Sequence, residues 1–71
     1  MNDQNLGEII KSHRKIANLT QLELADLSGV GKTTIFDVEK NKDVVSWKKI
    51  KSIINVLNIK IHFESPLKQK L

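Results

Sequence analysis

The run Gly29-Val30-Gly31-Lys32-Thr33-Thr34 sets glycines, an amine and two hydroxyls in succession, the groups with which a phosphate-binding loop cradles a nucleotide. Such a loop needs a further glycine where this chain carries Asp26, and it must follow a buried strand of a parallel sheet. A chain of 71 residues has no room for that sheet, so nucleotide hydrolysis is excluded. The two histidines, His13 and His62, stand far apart with no cysteine and no ligand spacing to complete a metal site. Each reads as a surface or helix-packing residue, and no Ser-His-Asp arrangement can be built from them. Neither an enzymatic activity nor a cofactor or metal is expected.

What remains is a set of polar, charged and aromatic side chains gathered around that same run: Gln21 before it, Lys32, Thr33, Thr34, Phe36 and Asp37 within and after it, then Lys40 and Lys42. Their use depends on the elements that carry them. Leu6, Ile9, Ile10, Ile16 and Ala17 fall near helical spacing, with Lys11, Arg14 and Lys15 largely off that stripe. This predicts a first helix over about residues 5–17, capped by Asp3 or Asn5. Thr20-Gln21-Leu22-Glu23 matches a capping box, in which the Thr hydroxyl takes one free amide and the Glu reaches back to another, so a second helix spans about 20–28. It must stop at Gly29-Val30-Gly31, where two glycines are free to take positive φ in a tight turn.

A third helix follows over about 31–40, with Ile35, Val38 and Glu39 on one side and Lys32, Thr33, Phe36 and Asp37 toward the other. Asn41-Lys42-Asp43 is a polar break. From Ser46, a suitable cap, a fourth helix runs over about 46–57 with Trp47, Ile50, Ile53, Ile54 and Leu57 as its inward stripe. Ile59-Lys60-Ile61-His62-Phe63-Glu64 then alternates apolar and polar residues up to Ser65-Pro66, which predicts a strand over about 59–64 and a frayed tail over 65–71. A lone strand finds no ladder within its own chain, so a second copy must supply one. Ile59, Ile61 and Phe63 are thus the expected dimerisation residues of a homodimer; the alternative is a flexible tail with an accidental alternation.

Composition agrees with helices packed on helices in one domain over residues 1–71. Hydrophobic residues make up 39% of the chain, but with two Phe, one Trp and no Tyr the core must be Leu, Ile, Val and Ala. So small a domain needs reinforcement, and with no cysteine for disulfides or thiolate ligands a partner subunit is the expected source. No apolar run approaches a signal sequence or a membrane span, so the expected location is the bacterial cytoplasm, with the nucleoid, and no membrane partner. The formal charge of +4 suggests an anionic partner, yet it is unevenly spread: residues 1–40 net −1 and residues 41–71 net +5. On this reading Lys42, Lys48, Lys49 and Lys51 attract phosphates, or form a solvated face, beside a nearly neutral surface that reads sequence.

Two short helices joined by a glycine-containing turn, the second with a polar face, form the helix-turn-helix unit that lays its second helix in the DNA major groove. Arg14, Thr20-Gln21, Leu24-Ala25, Gly29-Val30, Ile35 and Glu39 stand at the spacing of the lambda-repressor-like, or XRE (Cro/CI), family, which residues 6–59 resemble. The resemblance implies an all-α, four-helix lambda-repressor-like DNA-binding domain, here with the short C-terminal strand paired across a homodimer. It further implies that Glu39 pairs with Arg14 as scaffold, and that Lys32 and Thr33 reach base edges, where Lys can donate to guanine and the Thr methyl can touch thymine.

Gln21 is placed either to hydrogen-bond a DNA phosphate or simply to cap its helix, and Thr34 belongs to the same recognition helix. Phe36 replaces a small polar residue of the family, either to pack on thymine methyls or to join the core. Asp37 either accepts from cytosine N4 or selects against wrong sites, while Lys40 and Lys42 are placed for phosphates. Gly31 stands where the family often has a capping Ser, and Asn41 where it often has Gly.

Trp47, Ile50, Ile53-Ile54, Leu57 and Ile59 to Phe63 resemble the end of the HipB-type antitoxins. That likeness implies an autoregulatory antitoxin, a dimeric transcriptional repressor of a palindromic operator in its own promoter, with a HipA-like kinase toxin as partner. The other readings are a stand-alone XRE-type regulator and a protein-interaction module with weak, non-specific DNA binding.

Overall fold

The computed structural model describes residues 5–42 and 45–60. Four helices follow one another: α1 (Leu6–Ile16), α2 (Gln21–Ser28), α3 (Lys32–Glu39) and α4 (Trp47–Val56). Three of them start on side-chain caps. The Asn5 side chain accepts from the Glu8 amide (3.0 Å), and Ser46 Oγ accepts from the Lys49 amide (3.3 Å). The capping box of α2 is complete, with the Glu23 amide donating to Thr20 Oγ1 (3.0 Å) and the Thr20 amide to Glu23 Oε1 (2.8 Å). Gly31 starts α3 with an ordinary φ of −77° and no side-chain cap, so only Gly29, at φ +75°, makes the left-handed turn for which both glycines were candidates.

All four helices end in one way, with a left-handed residue whose successor's amide turns back to the last helical turn. The left-handed residues are Asn18, Gly29, Asn41 and Asn58. The amides of Leu19, Val30, Lys42 and Ile59 donate to the carbonyls of Arg14 (3.0 Å), Ala25 (3.1 Å), Asp37 (3.0 Å) and Ile54 (2.9 Å). Leu19, Val30 and Ile59 then fold their side chains onto the core, which ties the ends of α1, α2 and α4 to the interior.

That core consists of Ile10 from α1, Leu24 and Ala25 from α2, Ile35 and Val38 from α3, and Ile53 and Ile54 from α4. Through it α3 packs against both α1 and α2, and α2 also packs against α4. The central helix pair needs Ala25 small, and it is almost wholly enclosed. Four expected stripe residues fall outside the core: Ile16 is 83% exposed and Trp47 49%, Ala17 is exposed at the end of α1, and Ile9 is only half-buried. Ile16 lies six positions beyond Ile10, well off the buried face at a hundred degrees per residue, and Trp47 opens the first turn of α4, at its far end from Ile53 and Ile54.

Of the strand expected over 59–64, only Ile59 and Lys60 lie among the described residues, and neither is in a strand. The Ile59 amide closes the end of α4, and its side chain packs against the core. Ile61, Phe63 and the tail over 65–71 lie outside the described residues, as do Asp3, Asp43 and His62. No helix among the described residues is long and apolar enough to cross a membrane.

Candidate nucleic-acid interface

A buried ion pair fixes the geometry of the α2–α3 surface. Arg14 Nε donates to Glu39 Oε2 (2.6 Å) and Nη2 to Glu39 Oε1 (3.2 Å), while Nη1 donates to the Leu19 carbonyl (2.8 Å). Arg14 and Glu39 are each only 9% exposed. The fork of a guanidinium matches a carboxylate in a single orientation, so this contact sets how α1 crosses the end of α3 and ties both to the loop before α2. Glu39 Oε1 also accepts from Gln21 Nε2 (3.1 Å). The first side chain of α2 is therefore held by the last residue of α3, and capping of α2 is left to Thr20 and Glu23. An amide nitrogen carries two hydrogens, so Gln21 keeps a second N–H to give, beside the positive end of its helix.

On α3, burial of Ile35, Val38 and Glu39 turns the remaining face outward. Lys32, Thr33 and Lys40 are exposed, Thr34 and Asp37 half-buried, and Phe36 is 44% exposed, which places its ring on the surface and not in the core. Gln21, Lys32, Thr33 and Phe36 line one shallow depression across the α2–α3 junction. Lys40 Nζ lies 5.5 Å from the centroid of the Phe36 ring, a cation over an aromatic face. Thr34 and Asp37 do not line that depression. Lys42 is exposed but borders a different groove, beside Leu6, Val45 and Ile50. An amine, a hydroxyl, an amide and an aromatic edge side by side can donate to guanine, touch thymine methyls and hold a phosphate.

Sequence reasoning missed three contributions. Lys11 and Lys15, one turn apart on α1, border a cleft that also reaches Gln21, Phe36 and Lys40. Their spacing in the sequence was the available signal, but which neighbour that face met depended on how α1 crosses α3. The sequence marks Asn41 as part of a polar break and as a departure from Gly, with no sign of its contact to α1. It takes the left-handed position at φ +59°, and its Oδ1 accepts from the Gly7 amide (3.1 Å), joining the end of α3 to the first turn of α1. Gly7 is needed for this approach, because a Cβ there would stand 2.5 Å from the Val38 carbonyl oxygen.

The model of the helix-turn-helix family matches residues 10–63. An uncharacterized HTH-type transcriptional regulator, y4mF, of Sinorhizobium fredii is 32% identical over 62 residues, which cover 87% of this chain and 82% of that protein. The ImmF control region 10 kDa protein of Bacillus phage phi105 is 29% identical over 62 residues, covering 87% of this chain and 69% of its own length. Both alignments are long enough to take in most of the described helices.

Proposed function

This chain belongs to the lambda-repressor-like helix-turn-helix family, a family of DNA-binding regulators, and from that membership we propose that it represses transcription by binding double-stranded DNA sequence-specifically as a homodimer. The observation that carries the reading is the outward face of α3: Lys32, Thr33 and Phe36 stand exposed beside Gln21, on a helix locked in place by the buried Arg14–Glu39 pair. Lys32 and Thr33 open the recognition helix and read base edges in the major groove. Gln21, with one N–H on Glu39, gives the other to a backbone phosphate, and Lys40 and Lys42 add phosphate contacts beyond the end of α3. Thr34 and Asp37 flank the reading surface, Asp37 as a group that penalises wrong sites near the phosphates.

In a two-fold dimer the two copies of α3 stand about 34 Å apart, one turn of DNA, and the operator is a palindrome in the protein's own promoter. Selection of binding sites from a randomised duplex library tests this. Enrichment of a palindrome with half-sites one turn apart supports it, and loss of enrichment in Lys32→Ala/Thr33→Ala assigns the reading to those side chains. Recovery of no common sequence leaves only the weak, non-specific role of an interaction module.

A narrower form of the reading, an autoregulatory antitoxin of a HipA-like kinase, is supported by the resemblance of Trp47 to Phe63 to the HipB-type antitoxins. Purification of the protein from its native cell at moderate salt tests it. Stoichiometric recovery of the kinase supports the antitoxin, and recovery of the dimer alone restricts the protein to a stand-alone regulator.

A further inference from the structure

The cleft between α1 and α3, about 570 Å³ in volume, is lined by neither Lys32 nor Thr33, the two residues assigned to reading base edges. Lys11, Lys15 and Lys40 border it together with Glu8, and its remaining charges, Arg14 and Glu39, are spent on each other. Three exposed amines thus face a single carboxylate. The net charge of residues 1–40, −1, does not mark this concentration. The fold creates it by crossing the polar face of α1 over the end of α3.

Its position says what it meets. The cleft and the depression formed by Lys32 and Thr33 share Gln21 and Phe36, so the two are neighbouring parts of one surface. The cation of Lys40 sits over Phe36 at their boundary. A further hollow lined by Glu8, Lys11, Ser12 and Lys15 continues the same surface along α1. A duplex with its major groove on α3 carries its phosphates along the groove's edge, and a positive cleft adjoining the reading surface lies where such an edge passes.

We propose that α1 is part of the DNA interface, with Lys11 and Lys15 binding backbone phosphates next to the one held by Gln21; this rests on the DNA-binding reading above. The two lysines, four residues apart, share one helix face, so a single strand passing along the cleft meets both. Contacts of this kind add affinity equally for every sequence and release counterions, so they register in the salt dependence.

The test compares the full chain with Lys11→Gln/Lys15→Gln and with a charge-matched control, Lys60→Gln/Lys70→Gln, in anisotropy titrations of a short mixed-sequence duplex over a range of salt. The cleft variant is expected to bind roughly tenfold more weakly at low salt, with its log–log salt slope shallower by about 2, while the control stays near wild type. Thermal melting by circular dichroism should leave the variant folded, since both side chains are exposed. A slope equal to that of the wild type, or a loss no larger than the control's, overturns the proposal while the DNA-binding reading stands. Absence of binding by the wild-type chain to any duplex overturns both, and the cleft would then belong to an acidic protein segment.

Discussion

Glu39 joins the scaffold to the proposed reading surface, because one carboxylate accepts from both Arg14 and Gln21. Glu39→Ala should cost about 3–5 kcal/mol in urea unfolding, since it strands a buried guanidinium with only the Leu19 carbonyl as partner. Replacing both charges with apolar residues, as in Arg14→Met/Glu39→Leu, should restore most of that stability. It should not restore tight DNA binding, because Gln21 loses its anchor. Recovery of stability and affinity together would show that Gln21 needs no positioning. At Gly7 the prediction is steric: Gly7→Ala puts a methyl 2.5 Å from the Val38 carbonyl and 2.6 Å from Asn41 Oδ1, and should lower stability by about 1–3 kcal/mol in the same assay. An unchanged midpoint would mean that α1 shifts freely against the end of α3.

At the scale of elements, much was legible because local signals coincide with the tertiary arrangement. The Thr20–Glu23 box, the Ser46 cap and the Ile35/Val38 spacing each mark a helix that the structure contains. The breaks were less legible, because glycine and asparagine serve several backbone roles. Gly29 takes the left-handed turn but Gly31 merely starts α3, and the sequence treats them alike. Substitution separates them. Gly31→Ser should stabilise by a few tenths of a kcal/mol by supplying the missing cap, with open space around the new side chain. Gly29→Ala should destabilise by about 1 kcal/mol, because alanine is strained at that φ. Equal shifts in thermal midpoint for the two would contradict the assigned roles. Exposure of Ile16 and Trp47 was misjudged for a related reason: apolar type suggests a stripe, but the helix angle and the position of the neighbours decide which residues are covered.

For the whole molecule, the linear charge count placed the basic residues in the C-terminal half, whereas folding gathers Lys11, Lys15 and Lys40 beside Gln21 and Phe36. Composition cannot reveal this, because it depends on the crossing of α1 and α3. The proposed dimer rests on different residues. Ile59 is engaged in closing α4, so the proposed ladder falls to Ile61 and Phe63. Ile61→Lys/Phe63→Lys should shift the protein from dimer to monomer in sedimentation equilibrium and weaken operator binding, with the helical circular dichroism retained. A variant that remains dimeric would move the interface elsewhere on the molecule.

Sequence-specific reading by α3 is the central claim, and it is tested most directly by anisotropy titration of two duplexes, one from upstream of the protein's own gene and one with its bases scrambled, at physiological salt. The wild-type protein should prefer the upstream duplex by on the order of a thousandfold, and Lys32→Ala/Thr33→Ala should reduce its affinity there to that for the scrambled duplex. Equal affinity of the wild type for both duplexes at every salt concentration would contradict the account and leave a protein attracted to DNA by charge alone.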